Sequence, residues 1–285
     1  MTWTGTEVLV WGGFGSGFNE PIQGGGIYTP GTDQWRAIAT NGEPSARRYT
    51  DPVWTGQEWI FWGGEARTIA DEKATALSDG AAYNPMTDTW RTLSSKGAPS
   101  ARASHVSVWT GQELVIWGGD ASGDFDGGNI KALADGFAYN PTTDRWRSLS
   151  SRGAPKANCL VQAVWTGKEV LMWDGGCGSD TMAAYNPETN TWRPMNPAGP
   201  HLNSHSCQGW TGKYWVICGD VDSPDGGALY DPERDEWQRI PSIGVGYGTN
   251  AMQGFVYEGD LIAAGGVDAF TSVPSTSVYR FFVPD

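Results

Sequence analysis

The feature that most constrains this chain is a phrase it writes six times. WTGTEVLVWGG from Trp3 is followed by WTGQEWIFWGG from Trp54, WTGQELVIWGG from Trp109 and WTGKEVLMWDGG from Trp165, then by looser copies, WTGKYWVICGD from Trp210 and VYEGDLIAAGG from Val256. Behind each of the first five stands a second phrase: IYTPGTDQWR, AYNPMTDTWR, AYNPTTDRWR, AYNPETNTWR and LYDPERDEWQ, its Tyr always seven residues before its Trp. Landmarks at fixed spacing mark one supersecondary unit copied along the chain. Thr-Gly in the first phrase and Pro with Asp or Asn in the second are turn signals between short runs of strand-forming residues. Each unit therefore reads as strand a, tight turn, strand b, loop, strand c, turn, strand d, a four-stranded antiparallel sheet. Strand b, as in Leu114-Val115-Ile116-Trp117, is apolar on both faces and must be covered on both. Sheets stacked face to face around an axis supply that cover.

The GG doublet closing strand b, the Tyr opening the second phrase and the Trp seven residues later resemble the kelch repeat over essentially the whole chain. The resemblance implies an all-β fold, a six-bladed kelch-type β-propeller forming one domain over residues 1–285. Its repeats would run about 1–46, 47–101, 102–157, 158–202, 203–248 and 249–285. The sixth departs from the pattern: no Asn-Pro turn follows Tyr279, and no Trp stands seven residues after it. An incomplete sixth blade is expected, three-stranded or with its outer strand supplied from elsewhere.

Composition narrows the functional classes. A net charge of −13 supplies no basic stripe for a phosphate polymer, so nucleic acid is not expected as a partner. No apolar run reaches the ~18–20 residues of a membrane helix, so a soluble protein is expected. Sixteen Trp suggest sugar stacking. The repeat places every one of them on strand a, b or d, which predicts structural roles instead.

Variation is concentrated in the b–c loops, where the stretches 65–79 and 120–136 are enlarged. In a four-stranded meander these loops share an edge with the d–a connections, and on rigid scaffolds such loops carry function. The candidate ligand-binding residues at this channel mouth are Arg47, Arg102, His105, Asn158, Asn203 and His205 from the d–a side. Glu65, Asp120 and Asp174 join them from the end of strand b. Asp120, Asp124 and Asp126 alternate ahead of Gly127-Gly128 as calcium candidates, although Lys131 stands where a calcium loop needs a bidentate Glu. No other cofactor is expected.

The four cysteines pair across predicted hairpins as Cys159 with Cys177 and Cys207 with Cys218. These pairings imply disulfides and a secreted or periplasmic protein whose signal has been removed. The alternative is four free thiols in a cytoplasmic protein. The leading functional expectation is a monomeric binding module that presents the long-loop face to a protein or glycan. The alternative is a small-molecule enzyme of lyase, isomerase or mutarotase type. There His105 or His205 would act as acid–base, and Arg47 or Arg102 would hold an anion.

Overall fold

A computed structural model describes the chain except residues 14–20, 68–73, 124–129, 157–160, 175–180, 198–207, 219–226, 241–248, 251–252, 258–259, 265–266, 269–277 and 282–285. Side chains are described only as far as Ile240. The chain divides into two compact units, essentially residues 1–151 and 161–285.

The first unit holds three four-stranded antiparallel sheets. The first comprises Thr2–Trp3, Val8–Trp11, Gly25–Thr29 and Gln34–Ala37. The second is Val53–Trp54, Trp59–Trp62, Gly80–Asn84 and Thr89–Thr92. The third is Val106–Trp109, Leu114–Trp117, Gly136–Asn140 and Arg145–Ser148. In the second unit, Val161–Trp165, Val170–Asp174, Met182–Asn186 and Thr191–Pro194 form the fourth sheet. Gln208–Trp210, Trp215–Cys218, Gly227–Asp231 and Glu236–Ile240 form the fifth. The sixth has three strands, Gln253–Tyr257, Asp260–Ala264 and Val278–Phe281. Each sheet is a meander in chain order, the topology that the two recurring turns predict.

Local chemistry explains both turns. In the a–b turn the glycine sits at positive φ, +93° at Gly56 and +88° at Gly111. The preceding threonine hydroxyl accepts the amide of the residue three further on, as Thr55 does from Glu58 at 2.9 Å. In the c–d turn, Asp33, Asp88, Asp144, Asn190 and Asp235 occupy the left-handed region, with φ between 51° and 57°. Asp and Asn tolerate that region best among non-glycine residues. The same side chains accept the hydroxyl of the strand-c tyrosine, Tyr83 to Asp88 and Tyr139 to Asp144 both at 2.6 Å.

Sheets within a unit pack through strand b. Trp59 and Phe61 of the second sheet, with Tyr83, bury against Leu9, Trp11, Ile27 and Ile38 of the first. Ile60 and Trp62 face the other way, onto Leu114, Ile116 and Trp146 of the third sheet, with the Trp62 and Trp146 rings 4.6 Å apart edge to face. The alternation of side chains along one strand thus supplies both inter-sheet cores. In the second unit, Leu171, Trp173 and Ala184 pack likewise on Trp215, Ile217 and Tyr230.

Candidate functional site

The bases of the two enlarged loops carry most of the described candidate residues. The d–a connection and the exit of strand b are zipped together by reciprocal backbone bonds. Arg48 and Glu65 exchange theirs at 3.0 and 2.8 Å, and Ala103 and Asp120 theirs at 2.9 and 2.8 Å. The glycine doublets make this approach possible. A Cβ on Gly63 would stand 2.6 Å from the Arg102 carbonyl oxygen, and one on Gly119 would stand 2.7 Å from that of Ala103. Both glycines also have positive φ, +60° and +98°.

Arg47 and Arg102 are buried in this zipper and make the same clamp. From Arg102, Nε donates to the Ser100 carbonyl at 3.0 Å and Nη1 to the Gly118 carbonyl at 3.0 Å. Its remaining N–H groups meet Ser100 Oγ at 3.1 Å and the Asp135 carboxylate at 3.0 and 3.3 Å. Arg47 repeats the pattern with Ser45, Gly63 and Asp79. All five N–H donors of each guanidinium thus find internal acceptors. Asp79 and Asp135, which close the long loops just before strand c, are the partners that the sequence reading missed. A signal was present, because Arg47 and Arg102 go with Asp79 and Asp135, whereas Asn158 and Asn203 go with Thr181 and Gly226 at the matching positions.

Glu65 is fully buried and accepts Arg48 Nε at 2.7 Å and a second bond from Nη2. The Arg48 guanidinium also lies over the Tyr49 ring, 4.7 Å from its centroid. Asp120, also fully buried, braces its own loop. Its carboxylate accepts the amides of Ser122 at 2.9 Å and Lys131 at 2.6 Å, and the Ser122 hydroxyl at 2.5 Å. Its calcium co-ligand candidates Asp124 and Asp126 lie outside the described residues. So do Asn158, Asn203, His205, Cys159, Cys177 and Cys207, while Asp174 and Cys218 are described as strand positions only. Among the described residues no group of three or more His, Cys, Asp or Glu is placed to hold a metal ion.

His105 lies between the two doublets, its Cε1 facing Gly63 and its Cβ facing Gly119. It is 4% exposed, and neither ring nitrogen meets a hydrogen-bond partner. Desolvation, with the Arg102 charge adding to it, pushes the imidazole pKa down to about 3. Such a ring is neutral at pH 7 and far from the poise of a general acid–base. The structure therefore packs Arg102, His105 and Asp120, placed at a channel mouth by the sequence reading, into the scaffold.

The enlarged loops touch each other. Gly123, at φ +67°, lies on the backbone of Thr75 and Ala76, where a Cβ would come within 2.3 Å of the Ala76 nitrogen. Glu65–Ala66 and Thr75–Ala76 form a two-stranded ladder at the base of the first loop. The described ends of the two loops thus meet on the first unit.

At the opposite edge of the same unit, two recesses repeat one plan. One of ≈ 690 Å³ lies among Glu58, Arg91, Trp109, Gln112 and Asn140. The other, of ≈ 370 Å³, lies among Glu7, Trp54, Gln57, Asn84 and Met86. In the larger, Arg91 Nη2 donates to Glu58 at 2.6 Å and Nη1 to the Tyr139 hydroxyl at 2.9 Å. Burial, chiefly, pushes the Tyr139 phenol up to about 12.

Comparison with known proteins agrees with this architecture. The sequence matches the family model described as the KLHDC2/KLHL20/DRC7 Kelch-repeats domain over residues 1–219 and 53–266. It is 25% identical over 161 residues to an F-box/kelch-repeat protein of Arabidopsis thaliana, covering 54% of this chain and 42% of that protein. It is 30% identical over 112 residues to the Rho GTPase-activating protein gacHH of Dictyostelium discoideum, 39% of this chain and 7% of that one. The matches thus span under half the length of either relative. The solved structure of YjhT superposes with a TM-score of 0.70 at 15% identity, covering 92% of this chain and 89% of that one, which shows a shared fold.

Proposed function

The chain belongs to the kelch-repeat family and has its β-propeller fold, and from that premise we propose that it is a binding module whose long-loop ledge receives a protein or glycan partner. The observation that carries this reading is the state of the loop bases. Every described charged candidate there is committed to an internal partner, and His105 is buried and neutral, so these described residues hold the loop bases in place. Loop bases braced in this way lose little conformational entropy when a partner docks, which favours binding. Acidic net charge steers the choice toward a partner with basic or hydroxyl-rich chemistry.

The test exchanges residues 67–74 and 123–130 for short Gly-Ser turns, leaving Asp79, Asp120 and Asp135 in place. Closing a shorter loop alters the chain entropy only slightly, so the melting temperature should stay within a few degrees. Binding to immobilised peptide and glycan arrays should fall at least tenfold. Unchanged array binding by the exchanged protein would defeat the reading. We further place the protein in an oxidising compartment, with Cys159–Cys177 and Cys207–Cys218 as its disulfides.

A further inference from the structure

The two recesses at the turn edge of the first unit are built from equivalent residues, and what differs between them points to a ligand. The smaller lies between the first and second sheets, the larger between the second and third. Each is lined by an a–b turn glutamate (Glu7 or Glu58), by the Trp ending the next strand a (Trp54 or Trp109) and by an Asn-Pro turn (from Asn84 or Asn140). At the smaller, Arg36 Nη2 donates to the Pro85 carbonyl at 3.2 Å, and Met86 lines the wall. At the larger, Arg91 is held on Glu58 instead, by Nε at 2.7 Å and Nη2 at 2.6 Å, and Thr142 stands where the smaller has Met86. The volume rises from ≈ 370 to ≈ 690 Å³. Sites for small molecules run from ~300 to ~1,000 Å³.

The lining of the larger recess has hydrogen-bonding groups to spare. Asn140 Oδ1 accepts the amides of Thr142 and Thr143, both at 3.0 Å, which fixes the turn and leaves Nδ2 to donate elsewhere. In the second and fourth sheets the threonine hydroxyl matching Thr143 is used internally: Thr87 bonds Thr89 and Thr189 bonds Thr191, each at 2.7 Å. The third sheet has Arg145 in place of that second threonine, so the Thr143 hydroxyl lacks this partner. Gln57 and Gln112 enter from the two a–b turns, both exposed, and among the described residues their side-chain amides meet no internal partner. Trp109 packs against the core shared by the second and third sheets and, being only partly buried, also lines the recess.

These groups select a chemistry. Glu58 neutralises Arg91 through a two-point ion pair, and no other charged side chain lines the recess, so neither an anion nor a cation is favoured. Primary amides and hydroxyls donate and accept, as every sugar hydroxyl does. An indole supplies the flat apolar wall on which the C–H face of a sugar ring packs. We propose that this recess is a binding site for a neutral pyranose sugar, with Trp109 as its apolar wall and Gln57, Gln112, Asn140 and Thr143 as its hydrogen-bonding rim. The site lies at the edge away from the long loops and shares no residue with them, so its failure and that of the ledge reading are distinguishable.

The experiment is saturation-transfer NMR on the full chain with the methyl pyranosides of glucose, galactose, mannose and N-acetylglucosamine. Glucuronate and glucosamine serve as charged controls, and N-acetylglycine methylamide as a peptide control. At least one neutral glycoside should bind saturably, and the controls should bind at least tenfold more weakly. Gln112→Ala and Thr143→Val should each weaken binding about fivefold, the weight of one hydrogen bond. Thr142→Met, which copies the smaller recess, should abolish it. All three side chains are exposed, so the variants should melt as the parent does. Sugar binding should also survive the exchange of residues 67–74 and 123–130. Four outcomes would overturn the proposal: no glycoside binds, a control binds as tightly, the three variants leave binding intact, or the loop exchange removes it, which would assign the sugar to the long-loop ledge.

Discussion

At pH 7 the imidazole of His105 is neutral, and acid must charge it inside a dry pocket beside Arg102. Its folded pKa, about 3, lies below the ~6.5 of an unfolded histidine. Between those values the unfolded chain binds the extra proton, so this group's contribution falls as pH drops through 6.5. From pH 7 to pH 5 the loss should be about 2 kcal/mol, at ~1.4 kcal/mol per pH unit below 6.5. Urea midpoints at both pH values, for the parent and His105→Leu, check this: equal acid sensitivity in the two proteins would show that His105 is not the source. The neighbouring clamp makes a second prediction. Arg102→Ala removes a fully buried donor set and strands the carbonyls of Ser100 and Gly118, and should cost about 2–5 kcal/mol. Asp135→Ala leaves the fully buried Arg102 guanidinium without its carboxylate, and should cost about 3–5 kcal/mol. A cost below about 1 kcal/mol for either variant in denaturation would contradict the clamp. These residues were visible in the sequence as polar positions near a mouth. Whether they faced solvent or the scaffold was not, because the Asp that completes each clamp lies about 32 residues away along the chain.

Among elements, strand c of the second and third sheets begins at a glycine for a steric reason. A Cβ on Gly136 would stand 2.5 Å from the Trp117 ring and 2.6 Å from the Ile116 carbonyl oxygen, and Gly80 meets Trp62 and Phe61 in the same way. Gly136→Ala should therefore cost about 1–3 kcal/mol by overpacking, measured as a shift of the denaturation midpoint. The same change at Gly111, with open space around its Cβ but φ +88°, acts through backbone strain alone. The strand order, both turns and the three-stranded sixth sheet were legible, since turn chemistry and apolar runs are local signals. The glycine doublets were legible as close-packing positions. That they admit the d–a connection of the same or the neighbouring sheet was not, because that contact is between elements distant in sequence.

For the whole molecule, the cysteines make the compartment testable. If the proposed pairs form, thiol titration of the protein denatured without reductant should find no reactive thiol, and reductant should lower the melting temperature. Each bridge is worth about 2–4 kcal/mol. Four titratable thiols would dismiss both bridges and, with them, the argument for an oxidising compartment. The fold class, the number of sheets and the family were determined by the sequence alone, because a repeated pattern of turns and two-sided strands admits few arrangements that bury every apolar face. Only the tertiary structure decided what the charged letters of the repeat do. It turned Arg47, Arg102, Glu65, Asp120 and His105 inward as parts of the scaffold. The physical reason is that a side chain's partner is fixed by packing between segments distant along the chain, which the local pattern of the repeat does not encode.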